Sequence, residues 1–402
     1  MAYFQEHYRL WLAFPRSIKL FYFSDIFFAL SQALWSTVFN LHLLEVGFTA
    51  EHIGVLQSVS ALVMALIAIP VGLVSDRWGP RRFYIFGSLL FGVPFLVMPW
   101  LRSFPLLVGV YVLQVCLNTF MMVSESALLA GEVGSEQRTF VFSFMVMNFF
   151  IWNTLGVKLA GSLSTWLPAG ALSHYQWPLV LAGVTGIISG VIRARLPFRR
   201  TVPTGRGLNL RPSRTTLLIG LISLMSGGVF IVMQNFNNVV LAERFHMGAA
   251  TIATVLTVAG VLSWFGSMFV PWTSRRFGNV RAWVGVVALQ GVSLIYMGFA
   301  GVAAWFLPGF MIRSVLVSMQ NTLFTAFTMD ITPEAERSTA SSLATVGRNL
   351  GAAAAASAYG TAIAAGHYPL PFGLAGLGAI VSALLAQLFF GRRRSEPTAA
   401  GA

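Results

Sequence analysis

The sequence predicts an all-α polytopic membrane protein with twelve transmembrane helices in two pseudo-symmetric six-helix bundles. Three observations carry that expectation. Hydrophobic residues make up 56% of the 402-residue chain and charged residues only 10%, far from the roughly 25% charged residues of a soluble domain. Apolar runs of about 20 residues, the length that crosses roughly 30 Å of hydrocarbon at 1.5 Å per residue, recur twelve times. Finally, Gly79 and Gly278, Arg77 and Arg276, Arg82 and Arg281, and Arg138 and Arg337 all stand 199 positions apart, and Arg313 stands 199 after Gln114. Self-similarity at one offset, spread over the chain, marks two homologous halves.

In chain order the spans fall at 18–43, 51–75, 83–101, 104–131, 139–167 and 176–196, then at 215–242, 250–273, 281–301, 304–329, 338–364 and 369–391. Thr49-Ala50-Glu51 opens the second span and Thr332-Pro333-Glu334 the eleventh, both ordinary helix starts. Between the halves, residues 193–214 hold seven arginines with Pro197, Pro203, Pro212, Gly205 and Gly207. No apolar period survives there, so the stretch reads as a solvated linker. The resulting division is a first bundle over 1–192, a basic linker over 193–214, a second bundle over 215–391 and a tail over 392–402. The first 20 residues carry no small-residue cleavage site, so the first span serves as its own insertion signal.

The net charge of +13 would point to nucleic acid in a soluble protein. Here its placement decides otherwise. With the N-terminus inside, all but five of the 26 Lys and Arg residues fall in the N-terminal tail, the inner loops and the C-terminal tail. That asymmetry puts both termini in the cytoplasm and the chain in the cytoplasmic membrane, with anionic lipid rather than nucleic acid as the partner of the basic loops. Arg102 and Arg244 lie outside, while Lys158, Arg313 and Arg348 lie within spans. The lone cysteine, Cys116, is in the fourth span, so neither an intrachain disulfide nor a thiol metal site is expected, and no cofactor is implied.

The loop after the second span reads Gly72-Leu-Val-Ser-Asp76-Arg77-Trp-Gly79-Pro80-Arg81-Arg82. It resembles the Gly-x-x-x-Asp-Arg-x-Gly-Arg-Arg signature of the major facilitator superfamily, with Gly72, Asp76, Arg77 and Gly79 in place. Pro80 stands where the family has a basic residue, and Arg81 and Arg82 restore the charge one position later. The resemblance implies two six-helix bundles, alternating access and monomeric function. It also implies a conformational latch formed by this loop, with Asp76 near the start of the eleventh helix, where a carboxylate is stabilised by roughly 0.3–1 kcal/mol. Arg348 is placed with that latch. Proton-coupled drug exporters of the superfamily carry an Arg in the fourth helix and a Gly-Pro pair in the fifth, and neither is found here.

Polar residues line the first, fourth, seventh and tenth spans, the helices that the resemblance places around a central cavity. Asp25, Gln32 and Ser36 share one face of the first span within about 40°. Gln114, Asn118 and Glu125 do so on the fourth, Gln234 and Asn237 lie on the seventh, and Arg313 and Gln320 on the tenth. A charge deep in a bilayer costs at least about 2.5–3.5 kcal/mol on insertion scales, so such residues default to functional candidates. Asp25 and Glu125 are the proton-coupling candidates, since two partly desolvated carboxylates at one level suit a proton carrier. The alternative is that each pairs with a base or caps backbone. Gln32, Gln114, Asn118, Gln234, Asn237, Arg313 and Gln320 are the substrate-binding candidates, with Arg313 able to clamp a carboxylate or phosphate or else to pair with Asp25 or Glu125. Trp35, Tyr111 and Phe236 are available to stack on a solute. The Gly and Ala run from Gly351 to Gly360 reads as a close helix contact.

These observations favour a secondary active transporter that moves a small solute, driven by protons, with a lean toward an anionic or zwitterionic solute. Lipophilic export is the runner-up, and a non-transporting sensor or assembly partner is the reading from another class. No Walker motif is present, and the six His lie outside the spans or at their ends, where no Ser/His pair can meet at depth. An enzyme is therefore not expected.

Overall fold

The computed structural model describes residues 14–132, 135–167, 173–198, 213–332 and 336–391. Among these the chain is helical, because in hydrocarbon a helix satisfies every backbone group within its own segment. The first half comprises α1 (Arg16–Glu45), α2 (Ala50–Trp78), α3 (Pro80–Leu90), α4 (Val93–Val97), α5 (Phe104–Glu132), α6 (Ser135–Trp166) and α7 (Gln176–Ala194). The second comprises α8 (Arg214–Asn235), α9 (Asn237–Glu243), α10 (Ala249–Met268), α11 (Val270–Phe277), α12 (Asn279–Phe299), α13 (Ala303–Ile331), α14 (Arg337–Ala364) and α15 (Pro369–Phe390). Eight stretches of described residues, from Arg16–Glu45 to Pro369–Phe390, are long and apolar enough to cross a bilayer. Each expected span is helical, and three of them are broken. The third span breaks at Gly92 before Pro94, and the eighth at Phe269 before Pro271. At both, a proline in the first turn of the next segment removes an N–H from the helical ladder. The seventh breaks at Phe236.

The chain forms two compact units. The first contains Met1–His42, Leu66–Arg206 and Ala249–Ala253, and the second contains Leu43–Ala65, Gly207–Gly248 and Thr254–Ala402. In the first unit, α7 lies against α3 and α4 almost backbone to backbone. A Cβ on Gly190 would stand 2.1 Å from the Ser88 carbonyl oxygen, and one on Gly92 would stand 2.5 Å from that of Gly183. The same helix is stitched to α1, where the Ser31 hydroxyl donates to Ala182 O (2.7 Å) and the Ser189 hydroxyl to Ser24 O (3.0 Å). These contacts bring the last turn of α7 beside the first third of α1.

The second unit uses the same device. Gly291 and Gly376 bring α12 and α15 into contact, and Gly227, Gly347 and Gly351 bring α8 against α14. A Cβ on Gly351 would fall 1.8 Å from Leu224 O, so the small-residue run does make the close helix contact that its composition predicts. Gly54, in the part of α2 belonging to this unit, meets Gly360 and Ala356 of α14.

Two glycine pairs show the repeat in three dimensions. Gly79 caps α3 with φ 90° and Gly278 caps α12 with φ 77°, a region that glycine alone enters freely. Gly92 and Gly291 likewise stand 199 apart, and each presses on a glycine carbonyl of the last helix in its own half.

One sequence boundary is corrected. Residue 193 was expected both at the end of the sixth span and at the start of the solvated linker, and it belongs to the span, since α7 runs through it and Arg193 is 1% exposed. Leu196 and Phe198 are buried as well. Arg193 tolerates burial because two carboxylates meet its guanidinium. Linker residues 199–212 and the tail at 392–402 lie outside the described residues.

Candidate functional site

Arg193 organises the charged centre of the first unit. Its Nη2 donates to Asp25 Oδ1 at 3.0 Å and its Nη1 to Glu125 Oε2 at 3.1 Å. Nε donates toward the Ser24 hydroxyl at 3.3 Å, and Nη1 also lies 3.0 Å from Met121 Sδ. The guanidinium carbon stands 4.5 Å from the Phe28 ring centroid and 5.1 Å from that of Phe21, within cation–π range. Asp25 Oδ2 accepts from Asn148 Nδ2 at 3.1 Å, and the same amide reaches Tyr22 O at 3.3 Å. Asp25 is thus held by a base on α7 and an amide on α6.

The two acids are not equivalent. The Asp25 side chain is 4% exposed, while that of Glu125 is 17% exposed. With every group ionised, this centre carries two negative charges against one positive. A buried excess charge is expensive, and proton uptake by one carboxyl removes it. Glu125 is the less deeply enclosed of the two acids.

The remaining sequence candidates are scattered. Gln114 is buried on α5 and Gln32 half-buried on α1. Asn118 Nδ2 lies 3.6 Å from Met122 Sδ, and its Oδ1 has no hydrogen-bond partner among the described residues. Asn237 begins α9. Arg313 belongs to the second unit, while Asp25 and Glu125 share Arg193 within the first. Arg313 is 5% exposed, and its Nε has no hydrogen-bond partner among the described residues. Lys158 is exposed on α6. The side chain of Gln234 lies outside the described residues, as do those of Asp76 and Arg77 and the surroundings of Gly72. Gly79 is described, at the positive φ given above.

Trp35, Tyr111 and Phe236 are packing residues. Trp35 stacks on Phe95 and Phe39 at centroid distances of 4.3 and 3.8 Å, Phe39 stacks on Tyr111, and Phe236 is fully buried.

In the second unit, Gln320 and Arg348 line a cavity of about 160 Å³ between α8, α13 and α14. Arg348 and Gln320 come together there, while Arg313 is not part of its wall.

Sequence reasoning missed Arg193 as the common partner of both acids. A signal was present. At 100° per residue Arg193 lies on the face of Gly186, Ser189 and Gly190, the small-residue face that packs inward.

Apolar spans, a duplicated glycine framework and buried charge on inward helix faces define a membrane-spanning transporter fold. The family model of the Major Facilitator Superfamily matches residues 21–356 and 216–402, and the chain belongs to that superfamily. Over 272 residues it is 25% identical to the class C tetracycline resistance protein of Escherichia coli, covering 62% of this chain and 65% of that protein. The chain therefore spans just under two thirds of the length of that curated relative. Among solved structures, an auto-inhibited POT family peptide transporter is similar with TM-score 0.76 at 12% identity, covering 96% of this chain and 99% of that one. The nucleoside transporter NupG gives 0.73 at 12% identity with 94% and 100% covered. A bacterial homologue of the iron transporter ferroportin, in an inward-facing state, gives 0.71 at 14% identity with 94% and 99% covered. At such identities the likeness is one of fold.

Proposed function

We propose that this protein is a proton-coupled secondary active transporter of the cytoplasmic membrane, moving a small anionic or zwitterionic solute by alternating access, as a monomer with both termini in the cytoplasm. The observation that carries the proposal is the centre formed by Asp25, Arg193 and Glu125. One guanidinium balances one carboxylate, so the second carboxyl is the place where a proton binds and leaves. Glu125, with 17% of its side chain exposed, is the exchanging acid, and Asp25, clamped by Arg193 and Asn148, stays ionised. The cationic residues Arg313 and Arg348 of the second unit support an acidic solute group. The placement of the basic residues in the inner loops supports the orientation.

Proton movement into proteoliposomes carrying an internal pH dye tests the reading, with organic anions, amino acids, sugars and lipophilic cations offered in turn. Solute-dependent proton movement in the wild type that is absent in Glu125→Gln is the expected result. Solute uptake with no accompanying proton movement contradicts it.

A second reading, export of a lipophilic compound, is favoured by the likeness to the tetracycline resistance protein. In the same assay it calls for proton movement driven by lipophilic cations and not by organic anions.

A further inference from the structure

The cavity between α8, α13 and α14 lies wholly within the second unit and has an uneven chemistry. Ser223, Thr328, Gln320, Thr345 and Arg348 supply polar groups to it, Phe324 gives an apolar wall, and no carboxylate is among the described residues that line it. Serine and threonine in a helix ordinarily turn the hydroxyl back on the preceding turn. Thr345 does so to Ser341 O at 3.0 Å, as does Ser226, another lining residue, to Ile222 O at 3.0 Å. Ser223 and Thr328 do not. Each is 3% exposed, and their hydroxyl oxygens have no hydrogen-bond partner among the described residues. Buried hydroxyls left unsatisfied call for an explanation, and an unseen ligand is a physical one.

From this donor set we infer that the cavity is a binding site for a small oxyanion, a carboxylate or phosphate group carried by a compact hydroxylated solute. The guanidinium of Arg348 has five N–H donors and no acceptor, so it meets the anionic oxygens. The Ser223 and Thr328 hydroxyls donate to the same group, and the Gln320 amide, donor and acceptor at once, reads a hydroxyl of the solute. A cavity of about 160 Å³ suits a compact solute. A cation meets no counter-charge among the described lining residues. The inference rests on the reading of the protein as a carrier of an acidic solute, and it moves Arg348 from the latch expected from sequence to the solute.

Equilibrium binding tests it, since binding needs neither flux nor a pH gradient and so stands whether or not Glu125 carries a proton. Titration calorimetry on the full-length protein in nanodiscs uses lactate, glycerate, glycerol 3-phosphate and inorganic phosphate, with glycerol and tetraphenylphosphonium for comparison. At least one anion is expected to bind, and the carboxylate and phosphate arms separate the two sources of the oxyanion. Arg348→Gln should weaken that binding about tenfold or more, the scale of a lost charge-assisted hydrogen bond. The combined Ser223→Ala and Thr328→Val changes should weaken it by about threefold or more, the scale of neutral hydrogen bonds. Arg281→Gln, which removes an exposed cation in the first turn of α12, should leave it unchanged. If Arg348→Gln does not fold, the hydroxyl variant decides. No binding by any of the four anions overturns the inference, as does anion binding that the hydroxyl and Arg348 variants leave intact, or a preference for glycerol or tetraphenylphosphonium.

Discussion

Arg193, on the last turn of α7, shares its guanidinium between Asp25 of α1 and Glu125 of α5, at 3.0 and 3.1 Å. Three helices distant in sequence are joined by one side chain that is 1% exposed. Replacing it leaves two carboxylates in an apolar setting with no counter-charge. Removing one partner of a buried ion pair typically costs about 3–5 kcal/mol. Arg193→Gln should therefore lower the thermal unfolding midpoint markedly, and adding Asp25→Asn should recover part of the loss. Equal midpoints for Arg193→Gln and wild type would show that the pair contributes nothing net.

Glu336 precedes α14 and accepts hydrogen bonds from the Thr216 hydroxyl at 2.6 Å and the Ser213 backbone N–H at 3.0 Å. These bonds favour the carboxylate and hold its pKa below the ordinary glutamate value, the Thr216 hydroxyl contributing most. A depressed pKa contributes stability that is present above the unfolded value of about 4.3 and is lost as pH falls through the folded value. The thermal unfolding midpoint of the wild type should fall on acidification below about pH 4. Glu336→Gln should flatten that part of the profile, and an unchanged acid limb would argue against the assignment.

Gly79 and Gly278 both have positive φ, and Gly79 has no atom within 4 Å of the position a Cβ would take, so the cost of adding one there is purely of backbone conformation. Their positive φ values predict a loss of about 1–3 kcal/mol for Gly79→Ala or Gly278→Ala, read as a fall in the unfolding midpoint. Indistinguishable midpoints would mean that the loops relax to another conformation at no cost.

Gly351→Ala is the contrasting case, because its Cβ would meet Leu224 O at 1.8 Å. Overpacking of this kind costs about 1–3 kcal/mol or more, and α8 and α14 must separate to admit it. Cysteine pairs placed across the two helices should cross-link more slowly in the variant. A cross-linking rate equal to that of the parent pair would show that the contact yields without separation.

The spans were legible because about 20 apolar residues bounded by charge leave little freedom in where a membrane helix begins and ends. Gly79 and Gly278 were legible because the same charged neighbours recur around them. The breaks at Gly92, Phe236 and Phe269 were not, since hydropathy is the same on either side of a bend. Arg193 was hidden by its neighbours. Averaged with Arg195, Arg199 and Arg200 it belongs to a basic run, and only its helical face sets it apart. Asp25 and Glu125 could be picked out as buried acids, but a common partner 68 residues or more away in sequence is fixed by packing that no local pattern encodes. Similarly, Gln320 and Arg348 were both singled out from their own helices, and only the fold places them around one cavity.

The most direct test of the central claim, that Glu125 carries the coupling proton, separates exchange from accumulation. Proteoliposomes are loaded with the solute that wild type accumulates, and labelled solute is supplied outside, once without and once with a pH gradient. Glu125→Gln should exchange labelled for unlabelled solute at close to the wild-type rate yet fail to concentrate it when only the pH gradient is present. Accumulation by Glu125→Gln to the wild-type level under that gradient would contradict the account.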